Sequence, residues 1–255
     1  MTGPVSFTER TVAGVPLLLA APDDVAAPPL VLWHHGFSAA KESHRAELAR
    51  VAALGFRAAG VDAVGHGARR FADWDARLAA ARAGPPGSVF RFMLSIAAAT
   101  ADETPALVAA LAAEGLADPA RVSLVGISLG GYVAYRAVLR MPTLRAVVAL
   151  LGSPVWPDDM ESPHRRPDAF RDVALLSVTA ERDASVPPEE ARRFHDTLPD
   201  TMRARYVELA GAEHLVSGED WARMMDETMG WLRTLWRPPV PRAKYSGCAP
   251  PSSCF

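Results

Sequence analysis

Short runs of apolar and β-branched residues alternate along the chain with longer stretches rich in Ala and Leu. The short runs have the length of buried strands, and the longer ones space their apolar residues as amphipathic helices do. This alternation predicts an α/β fold, a mostly parallel eight-stranded sheet with helices on both faces. The predicted strands are Val5 to Val12, Val15 to Ala20, Leu30 to His34, Phe56 to Val61, Arg121 to Val125, Ala146 to Leu150, Ala174 to Thr179 and Ala204 to Glu208.

Helices are predicted between most of these strands. The stretch from Ser88 to Glu114 is the longest, and Pro105 within it removes one backbone donor, so we expect a kink or a restart there. The predicted helices begin near Ser43, near Ser88, after Ser128, near Pro188 and near Glu219.

Two irregular stretches, Gly65 to Gly87 and Gly152 to Pro167, follow strands and are rich in Gly, Pro, Asp and Arg. Loops beyond the carboxyl ends of parallel strands form the ligand sites of open α/β sheets. Both stretches are therefore candidate walls of a pocket. The final stretch, 237–255, contains five prolines, so we expect one domain over 1–236 followed by a poorly ordered tail.

Composition narrows the possible partners of this 255-residue chain. Its 27 basic and 29 acidic residues give a net charge of −2, so no overall basic field favours nucleic acid or an anionic membrane. The opening Met1 to Pro4 begins no secretory signal, and no stretch approaches 18 uncharged apolar residues. We expect a cytoplasmic protein that acts on a small molecule, and the oligomeric state stays open.

The two cysteines, Cys248 and Cys254, lie in the final eight residues. They form neither a catalytic nor a metal-binding framework, and they are either a tail disulfide or free thiols. The chain also lacks the H-E-x-x-H and C-x-x-C spacings of metal ligands. We therefore expect neither a metal nor another cofactor.

The strongest chemical motif runs from Gly126 through Ser128 to Gly130. A predicted strand enters it and a predicted helix leaves it, which is the arrangement of the sharp turn that presents a nucleophilic serine. The flanking glycines suit the close approach of neighbouring backbones. Ser128 is therefore the candidate nucleophile, and the alternative is an ordinary glycine-rich turn.

A nucleophilic serine needs a histidine base that is oriented by a carboxylate. In chains with this turn the order is serine, acid, histidine, each acid or base on a loop after a strand. Asp183 follows the strand that ends at Thr179 and is the preferred acid, with Glu181 as its competitor. His214 follows the last strand and is the candidate base.

The other histidines fit less well. His195, in a charged helix, and His164, beside two arginines, are expected to be solvated, and His44 begins a helix. His66 lies between two glycines on a strand-end loop, so it is a possible pocket residue, but it precedes the serine. His34 and His35 are expected to brace the loop that follows their strand.

Acyl transfer also needs two donors for the oxyanion. The backbone N–H of Leu129, directly after the nucleophile, is one candidate. The backbone N–H of Phe37, in the glycine-containing turn after the Leu30 to His34 strand, is the other.

With these motifs in place the chain resembles an α/β-hydrolase over about residues 5 to 236. The resemblance rests on His35-Gly36-Phe37, Asp62 to Gly67, Gly126 to Gly130, Asp183 before Val186-Pro187, and His214. It is similar to small bacterial esterases related to dienelactone hydrolases and to the catalytic domains of prolyl-oligopeptidase-like proteins. Dienelactone hydrolases carry a cysteine nucleophile where this chain has Ser128.

The resemblance implies an α/β-hydrolase fold with a minimal cap and the activity of a serine carboxylesterase on small or medium acyl esters. A small peptidase, a thioesterase and a catalytically silent ligand-binding homologue remain as alternatives. We expect a shallow pocket with an aromatic wall that includes Trp74 and Trp156. Catalytic efficiency should then rise from acetate to about butyrate or hexanoate esters and fall beyond, and Trp156→Ala should flatten this profile.

Overall fold

The computed structural model describes residues 5–21, 28–157 and 161–235. Within them, eight strands form one sheet in the order β1-β2-β4-β3-β5-β6-β7-β8. All eight predicted strands are present, with ends that differ from the prediction by at most two residues. They are β1 Ser6–Val12, β2 Val15–Ala21, β3 Leu30–His34, β4 Arg57–Val61, β5 Val122–Ile127, β6 Ala146–Leu150, β7 Ala174–Ala180 and β8 Ala204–Leu209.

Six of the strands are parallel. β1 and β2 form an antiparallel hairpin, and β2 pairs antiparallel with β4, whereas every pair from β4 to β8 is parallel. The carboxyl ends of β3, β5, β7 and β8 therefore lie along one edge of the sheet. Ser128, Asp183, His214 and Phe37 follow the carboxyl ends of these four strands.

The described residues contain six α-helices, of which five cover the two faces of the sheet and α2 packs against α3. α1 and α6 pack on one face, and α3, α4 and α5 pack on the other. Side chains of β3 alternate between the two layers, with Leu30 and Leu32 facing α3 and α4, and Val31 and Trp33 facing α1 and α6. The helices are α1 Arg45–Ala53, α2 Trp74–Ala83, α3 Ser88–Ala113, α4 Leu129–Arg140, α5 Pro188–Asp196 and α6 Gly218–Leu235.

One local prediction was wrong. The stretch Gly65 to Gly87 is not irregular throughout, because α2 occupies its Ala- and Arg-rich second half, where helix propensity is high. At Pro105, where a kink or a restart was predicted, α3 continues as one helix without a restart. Buried residues on both sides of the proline, such as Ile96 and Leu111, anchor both halves of α3 in the core.

α3 is the one helix in the described part of the chain that is long and apolar enough to cross a membrane. However, 44% of its most apolar 18-residue window is buried within the protein. A helix in the core of a globular protein can be equally long and apolar, so the length and composition of α3 do not indicate a membrane span. The tail 237–255 with Cys248 and Cys254, and Met160 in the second irregular stretch, lie outside the described residues.

Candidate active site

Ser128 lies at the junction between β5 and α4, in a strained backbone conformation. Its φ of 53° and ψ of −110° fall outside the regions that L-residues usually occupy. The turn is held by the Ser128 N–H, which donates to the Leu150 carbonyl at 2.8 Å. Ser128 thus stands at the N-terminus of α4, where the helix dipole favours negative charge.

The turn is possible only because its flanking positions lack side chains. A Cβ on Gly126 would lie 1.9 Å from the Gly130 carbonyl oxygen, and one on Gly130 would lie 2.3 Å from the carbonyl oxygen of His34. Both distances are far below any van der Waals contact. The glycine spacing seen in the sequence therefore has a direct steric cause.

Three side chains from separate loops form a hydrogen-bonded chain. Ser128 Oγ lies 3.0 Å from His214 Nε2, and His214 Nδ1 lies 2.6 Å from Asp183 Oδ2. The structure thus brings together the predicted nucleophile, base and acid. Since Ser128 follows β5, Asp183 follows β7 and His214 follows β8, parallel strand packing creates this proximity.

Asp183 and its sequence competitor Glu181 occupy different environments. Asp183 is buried, and its Oδ1 accepts the backbone N–H groups of Ser185 at 2.9 Å and Val186 at 2.7 Å. Glu181 is exposed and accepts the N–H of Gly211 at 2.5 Å. The structure therefore places Asp183, and not Glu181, against the histidine.

Two backbone N–H groups adjoin the serine. Those of Leu129 and Phe37, the two predicted donors, have no hydrogen-bond acceptor among the described residues. The Gly36 backbone, directly before Phe37, lies close to Ser128, since a Cβ built on Gly36 would be 3.8 Å from the Ser128 Cβ. Both groups are thus available to an oxygen that develops charge beside Ser128.

His35 sets the orientation of the Phe37 N–H. The Ala63 N–H donates to His35 Nε2 at 3.0 Å, so the ring carries its proton on Nδ1, which donates to the Gly36 carbonyl at 2.7 Å. That carbonyl belongs to the same planar peptide as the Phe37 N–H, which must point the opposite way. Burial lowers the pKa of His35 to about 4, so the ring stays neutral and holds this arrangement.

The expectation that His195 and His164 are solvated was wrong. His195 is only partly exposed, and its Nε2 pairs with Ser177 Oγ at 2.8 Å; burial lowers its pKa to about 4. His164 is half-buried and its Nδ1 pairs with Ser162 Oγ at 2.7 Å. Both histidines lie on the inward side of a helical segment. The charged residues beside them in the sequence suggested exposure, because they lie on the outward side.

A cleft of about 490 Å³ opens above Ser128 and His214. Its walls are mostly apolar, and they come from Phe37, from the segment that joins α2 to α3, from the first turns of α3, and from the loop after β7. The cleft is lined by Phe37, Ala81, Arg82, Gly84, Pro85, Pro86, Gly87, Ser88, Val89, Phe90, Met93, Ser128, Ser185, Val186 and His214.

The three pocket residues predicted from sequence do not line this cleft. His66 and Trp74 are buried behind Phe37, with ring centroids 5.5 Å and 5.3 Å from the Phe37 ring. Trp156 is only 2% exposed and packs 6.1 Å from the Tyr132 ring and beneath Arg136. Its flanking prolines suggested a loop exposed to substrate, but the loop folds back onto α4 and buries the indole.

The predicted wall Gly65 to Gly87 does contribute to the cleft through its last residues, but Arg82, Pro85 and Pro86 were not singled out within it. No residue of the other predicted wall, Gly152 to Pro167, belongs to the lining within the described residues. The Pro-Pro-Gly turn between two helical runs was the signal that could have located this wall. As for metal binding, the described residues contain no group of three or more His, Cys, Asp or Glu side chains that could hold an ion.

The sheet order, the strained serine after β5, and the acid and histidine after β7 and β8 define the class of the alpha/beta hydrolases. A model of the alpha/beta hydrolase family matches residues 30–247. The chain therefore belongs to this family and is a hydrolase, as the sequence resemblance indicated.

Individual relatives agree with this assignment. The chain is 26% identical over 226 residues to the Bacillus subtilis (strain 168) protein named "Putative esterase YitV", covering 76% of this chain and 84% of that protein. A dienelactone hydrolase from Anabaena variabilis has a TM-score of 0.64 at 19% identity, over 92% of this chain and 99% of that one. A Mycobacterium tuberculosis puromycin-hydrolyzing peptidase has a TM-score of 0.70 at 18% identity, over 91% of this chain and 39% of that one. At these identities the two structures show the fold alone.

Proposed function

We propose that this protein is a serine carboxylesterase that hydrolyses esters of small to medium acyl groups through Ser128, His214 and Asp183. The observation that carries the proposal is the hydrogen-bonded chain of these three side chains, with its serine end in a strained turn that faces an apolar cleft. The esterase name of a relative that matches most of the chain supports the same reaction class.

The proposed reaction assigns one role to each of these groups. His214 Nε2 takes the Ser128 hydroxyl proton as Oγ forms a bond to the ester carbonyl carbon, and the N–H groups of Leu129 and Phe37 stabilise the resulting oxyanion. The intermediate collapses, His214 gives its proton to the leaving alkoxide, and an acyl-serine remains. Water then attacks in the same way, which releases the acid and restores Ser128.

Asp183 keeps His214 in the tautomer that this sequence of steps requires. The carboxylate accepts a hydrogen bond from the Nδ1–H group of His214, so Nε2 carries no proton and can take the proton of the Ser128 hydroxyl. Its other oxygen is held by two backbone N–H groups, which fixes the orientation of the carboxylate. The ring is therefore ready for reaction before substrate arrives.

Labelling with a fluorophosphonate probe, together with turnover of p-nitrophenyl butyrate, tests the proposal. We expect the wild type to be labelled and active, and Ser128→Ala to be folded, unlabelled and inactive, because removal of one hydroxyl leaves the packing intact. Absence of labelling in the folded wild type would instead indicate a silent ligand-binding homologue. Faster turnover of aminoacyl amides or acyl thioesters than of esters would replace the esterase by a peptidase or thioesterase.

A further inference from the structure

The cleft contains one charged side chain that the proposed reaction does not use. Its walls around Phe37, Phe90, Met93 and Val186 are apolar, and no Asp or Glu belongs to the lining within the described part of the chain. Apart from His214, which the reaction uses, Arg82 is the only titratable side chain among those lining residues. The site is therefore an apolar cleft with a cation at its rim.

Arg82 is exposed and lies one residue before the C-terminal end of α2. The arginines that precede it along the chain have carboxylate partners: Arg77 binds Asp73 at 2.7 Å, and Arg70 binds Asp75 at 3.0 Å. Arg91, which follows it, donates to the Pro86 carbonyl at 3.4 Å. The side chain of Arg82 has no ion pair or hydrogen bond with any other described residue. Its guanidinium is thus free to bind an anion that enters the cleft.

We propose that the preferred substrates are esters whose apolar segment ends in a carboxylate, such as half esters of medium-chain dicarboxylic acids. This assignment rests on the proposed esterase function and names its substrate class. The apolar walls would hold the methylene chain, while the planar guanidinium of Arg82 would pair with the distal carboxylate. A substrate with a distal ammonium group would find a repelling cation and no carboxylate on the described walls.

Monomethyl adipate and dimethyl adipate test this assignment, because they differ in charge at one end and hardly in shape. Release of methanol gives kcat/KM for each ester. We expect Arg82→Gln to lower kcat/KM for the half ester about two- to fivefold more than for the diester, the range that exposed charge pairs deliver. Arg82→Lys should keep most of the preference, and high salt should remove the difference between wild type and Arg82→Gln.

Arg77→Gln is the matched control. It makes the same change of charge on the same helix, but Arg77 lies outside the cleft lining, so kcat/KM for both esters should remain unchanged. A basic residue near the end of a helix also stabilises that helix. If this were the only role of Arg82, Arg82→Gln would lower the melting temperature without changing the ratio of the two kcat/KM values.

An unchanged ratio in folded Arg82→Gln, or an equal change in Arg77→Gln, would overturn the role of Arg82. Turnover of the diester without turnover of the half ester would overturn the substrate class. Both results would leave the esterase itself intact, because diester hydrolysis that depends on Ser128 would persist. If the folded wild type were not labelled by the fluorophosphonate probe, the proposed function would be refuted as well.

Discussion

Replacing Asp183 by asparagine tests how the carboxylate controls the proton on His214. Its two oxygens have different partners: Oδ1 accepts the N–H groups of Ser185 and Val186, whereas Oδ2 faces His214 Nδ1 at 2.6 Å. The asparagine carbonyl must remain at the Oδ1 position, because an NH₂ group there would face two N–H donors. The NH₂ group is thereby directed at His214 Nδ1.

The magnitude follows from this orientation. An NH₂ group donates to Nδ1, so the neutral ring must carry its proton on Nε2, and Nε2–H cannot accept the Ser128 proton. The same substitution in serine proteases lowers kcat about 10⁴-fold, or roughly 5 kcal/mol of transition-state stabilisation. Asp183→Ala removes the orienting group without imposing the wrong tautomer, so asparagine should be at least as damaging as alanine despite its closer shape.

The assay is kcat for p-nitrophenyl butyrate, with thermal unfolding as the measure of folding. Glu181→Gln is the control, since it makes the same chemical change on the same loop at an exposed side chain. This variant should stay within about twofold of the wild type, as surface substitutions do. If folded Asp183→Asn kept kcat within about tenfold of the wild type, or Glu181→Gln were the more damaging change, the assignment of the acid would be wrong.

Three further predictions concern stability and substrate size. Gly130→Ala should lower the free energy of unfolding by about 3 kcal/mol or more, because the new Cβ would lie 2.3 Å from the carbonyl oxygen of His34 in β3. Gly230→Ala should raise it by about 1 kcal/mol, because this position in α6 faces open space. Urea unfolding measures both changes. The low pKa of His195, about 4 in the folded protein against 6.5 in the unfolded chain, contributes stability above pH 6.5 that is lost as pH falls towards 4. That loss is roughly 3 kcal/mol, so the free energy of unfolding of His195→Gln should fall less steeply between pH 6.5 and 4 than that of the wild type. Equal slopes for the two proteins would contradict the burial of this ring. Trp156→Ala should lower the free energy of unfolding by about 3–5 kcal/mol, because the indole is buried, yet leave the order of preference among p-nitrophenyl acyl chain lengths unchanged. Phe90→Ala should change that order, because Phe90 lines the cleft. The opposite result would show that Trp156 contacts the substrate.

Local patterns in the sequence determined the eight strands and the positions of Ser128, Asp183 and His214. Strand length, apolar runs and the strand-to-helix turn are properties of neighbouring residues, and parallel strands bring their carboxyl ends together whatever covers the sheet. For this reason the loops that carry the proposed nucleophile, acid and base could be predicted before any contact was known.

Side-chain direction within a loop was decided only by the tertiary structure. Asp183 and Glu181 are two residues apart, yet Asp183 is buried against His214 and Glu181 is exposed. The carboxylate of Asp183 accepts two backbone N–H groups from its own loop, whereas that of Glu181 accepts the N–H of Gly211, after β8. Trp156 and Arg82 show the same dependence. Trp156 was predicted to line the pocket, but packing against α4 buries the indole. Arg82 was not singled out in the sequence, and the fold places this residue in the wall of the cleft. Burial is settled by what the rest of the chain places opposite a side chain, and that information is not local.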